Sequence, residues 1–213
     1  MRSAIVMLTS VLLPAWAEAQ VTLPRNEAVV SVAWAGSAYA LNSYDRWEGS
    51  LFLSASAGRY WTHYLKTDIE AAWTSAAEGE TSEHVTIGGV NTFAQGHHRS
   101  QDVRLAIGQS FQFGRNAWVH PSLGAGADVV WRRTVLDRPA QQGFAYGISA
   151  RSPTTVLVPA MRTSTSEVFA VPYVKAAVKM YASERAFFAT ELKLGFAPDL
   201  DHVLWKLGMG FDF

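Results

Sequence analysis

"LWKLGMGFDF", residues 204–213, places Trp205, Leu207, Met209, Phe211 and Phe213 at alternate positions, with Lys206, Gly208, Gly210 and Asp212 between them. Residues two apart share one face of a β-strand. The segment is therefore read as a strand with one wholly apolar face and one face of small and charged groups. Chain ends are ordinarily polar or small and fray into water, whereas this one is shaped to lie against something apolar.

The same two-sided pattern recurs toward the N-terminus. "VHPSLGAGADVVW", residues 119–131, carries Val119, Pro121, Leu123, Ala125, Ala127, Val129 and Trp131 on one face. Its strand has Trp118, His120, Ser122, Gly124, Gly126, Asp128 and Arg132 on the other. Leu65, Thr67, Ile69, Ala71 and Trp73 oppose Lys66, Asp68, Glu70, Ala72 and Thr74; Val103, Leu105, Ile107 and Phe111 oppose Asp102, Arg104, Gly108 and Ser110. Gln109 and Thr190 are mild polar departures on the apolar rows. No stretch holds a helical period, so the chain is all-β. Eight strands are expected, at roughly 27–36, 48–58, 64–75, 100–113, 117–132, 166–180, 186–196 and 203–213.

The connections sort by length. Those after the second, fourth and sixth strands ("RYWTHY", "GRN", "YASERA") are short, and those after the odd-numbered strands are mostly long. Short turns on one rim and long loops on the other describe an up-and-down transmembrane barrel. A soluble eight-stranded barrel would show the same alternation with its apolar row inside. Three features favour the inverted arrangement. The charged rows are rich in Gly, Ala and Ser, which suits a crowded lumen. Trp34, Trp61, Trp73, Trp131 and Trp205, with Phe113 and Phe196, tend toward strand ends, as interfacial girdles require. Closure also satisfies every backbone donor and acceptor, which hydrocarbon demands.

The chain has 213 residues, 49% of them hydrophobic and 17% charged, enough for one ordered domain. Eighteen basic residues balance eighteen acidic ones, so there is no electrostatic footprint for nucleic acid. The absence of cysteine excludes disulfides, thiolate metal sites and cysteine nucleophiles. Residues 1–19 read as a secretory signal peptide: Arg2, an apolar stretch from Ala4 to about Trp16, then Ala17-Glu18-Ala19 as the cleavage pattern. The apolar stretch is short of the ~20 residues of a spanning helix, which disfavours an uncleaved anchor. Residues 20–26 are a linker, and the barrel is expected over 27–213.

On these residues the chain resembles the OmpA-like family of small outer-membrane β-barrels, the eight-stranded OmpA and OmpX types. "VHPSLGAGADVVW" is similar to the family's strand in which a Pro and alternating glycines precede an apolar run. "KLGMGFDF" is similar to its terminal assembly signal, with Lys206, Gly208, Phe211 and Phe213 at the signal positions. The resemblance implies outer-membrane location in a Gram-negative-type bacterium, contact with lipid and lipopolysaccharide, and recognition by the barrel-assembly machinery. OmpA itself continues into a peptidoglycan-binding domain; with the sequence ending at Phe213, cell-wall tethering is not expected.

The polar rows collect Glu27, Glu48, Asp68, Glu70, Asp102, Asp128, Glu167, Glu191 and Asp212 with Lys66, Arg104, Arg132, Lys175, Lys179, Lys193 and Lys206. Charges removed from water persist when paired, so a salt-bridged plug is expected. The core of this network is Lys66, Asp68, Glu70, Arg104, Asp128, Lys175, Glu191, Lys193 and Lys206. Partner exchange opening a gated pore is the alternative, which an eight-stranded lumen leaves little room for.

His120 and Ser122 share a face, as in the dyad of an outer-membrane lipid A deacylase. They lie near the short-turn rim, away from the outer leaflet, so they are read as lumen polar groups. His84, His97 and His98 near Glu83 could bind a divalent ion. The adjacent pair would point opposite ways in an extended segment, so exposed loop histidines are expected. The long connection 133–165 contains "GFAYGISA" and "TTVLVPAM"; as a ribbon above the membrane it leaves eight strands, and as two crossings it makes ten. Eight is expected. The functional expectation is a barrel with neither catalytic residues nor cofactor or metal, serving envelope integrity or surface interaction through its loops.

Overall fold

The computed structural model describes residues 26–35, 46–47, 50–114, 118–145, 154–196 and 200–213. Residues 1–19, expected to be a signal peptide, most of the expected linker 20–26, and Glu48 lie outside the described residues. Twelve strands follow in order: β1 (Asn26–Ala35), β2 (Arg46–Trp47), β3 (Ser50–Tyr60), β4 (Leu65–Thr74), β5 (Ala77–Ile87), β6 (Val90–Gln112), β7 (Val119–Arg138), β8 (Gln141–Ala145), β9 (Thr154–Val158), β10 (Met161–Tyr181), β11 (Ala186–Phe196) and β12 (Leu200–Asp212).

Eight of these strands, β1, β3, β4, β6, β7, β10, β11 and β12, pair antiparallel in that order, and β12 returns to β1 to close the barrel. Closure runs from Glu27↔Asp212 to Ala33↔Lys206. Beyond it, the Asn26 N–H donates to the Phe213 carbonyl at 3.0 Å and the Phe213 N–H to the Asn26 carbonyl at 2.9 Å. Two short turns on this rim are pinned by hydroxyls. Thr62 Oγ1 accepts from the Leu65 N–H at 2.9 Å, and Ser183 Oγ from the Ala186 N–H at 3.0 Å.

The faces are inverted relative to a soluble barrel. Val30, Ile107, Leu123, Leu207 and Met209 point outward, 56–68% exposed, while Glu27, Asp128, Lys193 and Lys206 inside are at most 2% exposed. Two threonines on the outer wall serve the indoles. Trp61 Nε1 donates to Thr67 Oγ1 and Trp205 Nε1 to Thr190 Oγ1, each at 2.8 Å. Near the short-turn rim the Tyr64 and Phe111 rings stack at 5.7 Å, and Phe113 meets Phe111 edge-on at 5.0 Å.

Inside, glycines make room for rings. A Cβ on Gly126 would stand 2.2 Å from the Ile107 carbonyl oxygen and 2.6 Å from Tyr173 Oη; one on Gly108 would stand 2.2 Å from that hydroxyl. Phe187 likewise occupies the space beside Gly210, and His202 that beside Gly195.

The segment 76–99, expected to be a loop, is instead mostly strand. β5 pairs with the first part of β6 through a two-residue turn in which Gly88 and Gly89 have φ of 60° and 79°, the pairing suited to a tight hairpin. β6, β7 and β10 thus continue beyond the barrel as a projecting sheet. β8 and β9 pair with each other above it and do not enter the barrel, which has eight strands. Their hairpin packs on the sheet, where Thr92, Ala94 and Val158 are buried. Gln141 locks the contact by accepting from the Gln95 N–H at 3.0 Å and donating to the Gln95 carbonyl at 2.6 Å.

Candidate functional site: the charged lumen

The inward positions of the eight strands converge on one ladder of alternating charge. At the short-turn end, Glu27 receives both Lys179 and Lys66. Tyr60 Oη stands 2.8 Å from Glu27 and 2.7 Å from Gln112 Oε1. Lys66 reaches Asp68 at 3.5 Å, Asp68 also binds Lys175, and Lys175 stands 3.8 Å from Glu191. Glu191 meets Lys206 at 2.6 Å, Lys206 binds Glu70, and Glu70 lies 3.6 Å from Lys193. Lys193 holds Asp128 at 2.7 Å, with its ammonium 4.0 Å from the Tyr173 ring centre. The ladder then passes through His202, whose Nε2 is 3.8 Å from Asp128 and whose Nδ1 is 3.0 Å from Arg104. An Arg guanidinium only donates, so Nδ1 is the acceptor there. Arg104 and Arg132 both grip Asp102, at 2.8 and 2.9 Å.

Lys66–Asp68 on β4 and Arg104–Asp102 on β6 are same-strand pairs; the other ladder neighbours come from different strands and cross the lumen or bridge adjacent staves. Lys179 on β10 meets Glu27 on β1, and Lys206 on β12 meets Glu70 on β4. Buried charges survive when opposed and hydrogen-bonded at close range, and here every Lys and Arg in the ladder has a carboxylate within 4 Å. The remaining lower-lumen space is a cavity of about 50 Å³, lined by Ser31, Ser56, Ser110 and Ser122 among the charges. That is room for a few waters at ~10–15 Å³ each.

Two side chains assigned to the lumen face lie elsewhere. Glu167 is exposed, because β10 runs past the barrel before that position is reached, and Trp118 is exposed at the end of the short turn. Asp212 is buried and receives the Tyr181 hydroxyl, with Lys179 at 4.0 Å. Tyr60, Gln112, Tyr173 and His202 belong to the site although the sequence reading passed over them. Tyr60 and His202 continue the inward phase just beyond the strand limits expected at 58 and 203; extending the alternation would have found them. Trp61, Trp73, Trp131 and Trp205 are exposed on the outer wall. Trp34 is in β1, and its side chain lies outside the described residues.

His120 Nδ1 accepts from Gln112 Nε2 at 2.7 Å, and its ring lies 4.8 Å from that of Tyr181. Ser122 Oγ donates to the Ala177 carbonyl at 3.5 Å. The loop histidines are divided by strand alternation: His84 packs on Phe93 at 4.0 Å, His97 is opposite Asp137, and His98 points to the other face. Glu83 faces Arg138 at 3.6 Å. Among the described residues no group of three potential ligands is placed to hold a metal.

Among solved structures, the outer membrane protein OprG of Pseudomonas aeruginosa superimposes with a TM-score of 0.53 at 8% identity, over 90% of this chain and 97% of that one. The fold is that of a small outer-membrane β-barrel. Neisserial surface protein A is also similar (TM-score 0.49, 12% identity, 88% and 96% covered), as is Ail of Yersinia pestis (0.48, 11%, 89% and 99%). No family model and no curated protein matches the chain. The eight-stranded antiparallel barrel expected from the alternation is the observed one, and its fold is that of the OmpA- and OmpX-type barrels the sequence resembles.

Proposed function

We propose that the chain is an integral outer-membrane protein whose barrel is a closed, non-enzymatic scaffold, plugged by its lumen charges. It serves envelope integrity or surface interaction through the projecting sheet and loops. The observation that carries this reading is the ladder from Lys179 to Arg132, which fills the lumen with mutually neutralised groups. A side chain that already has its counter-ion gives a permeating ion little to bind and occupies its path. Ser122 donates to a main-chain carbonyl, an arrangement suited to a lumen network more than to a nucleophile activated by His120.

The reading includes export with removal of residues 1–19, contact with outer-membrane lipid and lipopolysaccharide, and insertion by the barrel-assembly machinery through Lys206, Gly208, Phe211 and Phe213. It includes no nucleic-acid partner. Purified barrel in a planar bilayer is expected to give no steady channel. Large, sustained single-channel conductance would overturn the plug and make the lumen a pore.

A further inference from the structure

Four rows of the outer wall, read along the register, set out a change of chemistry with height. Trp73, Val103, Trp131 and Val168 form one continuous row across β4, β6, β7 and β10, all four exposed. The next row outward is Gln101, Arg133 and Ser166. Beyond it Arg99 is opposite Val135 and paired with Glu78 at 2.8 Å, and in the row after that Arg162 is opposite Asp137. Carboxylates therefore accompany the cations in both farther rows. In the row nearest the aromatic belt the sole charge is Arg133. Among the described residues no carboxylate lies within 4 Å of it, and its Nε donates to Ser164 Oγ at 3.4 Å.

Indole rings settle where hydrocarbon gives way to headgroups. At 3.3 Å per residue and a tilt near 40°, Arg133 stands about 5 Å farther out than Trp131, at headgroup depth. A guanidinium is the side chain best matched to phosphate, binding it through two parallel N–H donors. The Gln101 amide and the Ser166 hydroxyl, on the flanking strands ~4.8 Å to either side, supply further donors. Below this row Leu105 and Val129 continue the apolar wall, against which acyl chains can lie.

We propose that Arg133, with Gln101 and Ser166, binds the phosphate of an outer-leaflet lipid. The occupant is a lipid and not free phosphate because one solvent-exposed arginine holds a dilute anion weakly. A lipid whose chains already contact the wall presents its phosphate at high local concentration. The site rests on the outer-membrane reading above and gives it a lipid class, one that carries an anionic phosphate at headgroup depth.

The test uses the full barrel in nanodiscs of phosphatidylcholine doped with bisphosphorylated lipid A, or with the same lipid A after enzymatic dephosphorylation. Lipid that remains bound on release is counted by native mass spectrometry. The wild type is expected to retain the phosphorylated form about tenfold over the dephosphorylated one, the size of one charged hydrogen-bonded contact. Arg133→Gln is expected to lose that preference while Arg162→Gln keeps it, and millimolar inorganic phosphate is expected not to compete. Equal retention of the two lipids by the wild type, or unchanged retention by Arg133→Gln, overturns the site. Displacement by inorganic phosphate overturns the lipid as its ligand. A heat-modifiable barrel that enters nanodiscs without preference refutes the phosphate site alone, whereas a folded chain that stays soluble without lipid refutes the membrane reading beneath it.

Discussion

Asp128 is wholly buried in the lumen and is held mainly by Lys193 at 2.7 Å. Removing one partner of a buried pair leaves the other charge uncompensated, at a cost of ~3–5 kcal/mol. Lys193 keeps Glu70 at 3.6 Å and the Tyr173 ring, so the lower end applies. Asp128→Ala is expected to destabilise the folded barrel by about 3 kcal/mol, measured as a shift in the urea midpoint of protein in lipid vesicles. Asp128→Ala combined with Lys193→Met is expected to recover most of the loss, because the orphaned ammonium is gone. A double variant no more stable than the single one would show that the cost lies in the cavity and not in the charge. That these two residues face inward was legible from alternation; that they meet each other was not, since β7 and β11 are not neighbours in the barrel.

The projecting ribbon of β5 and β6 depends on its turn. Gly88 and Gly89 both occupy the left-handed region, with nothing within 4 Å of an added Cβ at either. The penalty for a side chain there is therefore one of backbone conformation, ~1–2 kcal/mol per residue. Gly88→Val and Gly89→Val are each expected to hasten proteolytic cleavage within residues 77–100 while leaving the heat-modifiable gel mobility of the barrel intact. Loss of that mobility would mean that ribbon and barrel fold as one unit. The ribbon has a sequence signal in the Gly-Gly pair between alternating segments, passed over because its strands are polar on both faces. A membrane-spanning strand announces itself by an apolar row; a strand above the membrane has no such row, and its limits are set by its partners. For the same reason β6, β7 and β10 extend beyond the limits expected for them, and Glu167 falls outside the lumen.

At the scale of the whole molecule, stability depends on closure. β12 joins β1 over Glu27↔Asp212 to Ala33↔Lys206, and the reciprocal Asn26–Phe213 hydrogen bonds finish the seam at the rim. Deleting Phe213, or adding a charged tail after it, is expected to lower the amount of barrel inserted in the outer membrane, measured by fractionation and heat modifiability; normal insertion would remove Phe213 from the assembly signal. By itself the sequence determined the fold class, the phase of the eight barrel strands and the apolar outer wall, because strand alternation is a local property with period two and survives errors in strand limits. Tertiary structure decided which charges pair. Lys179 and Glu27 are 152 positions apart, and Lys206 and Glu70 136 apart, so no local pattern links them. Their meeting follows from the stagger between strands around a closed barrel, a global quantity fixed when the seam forms.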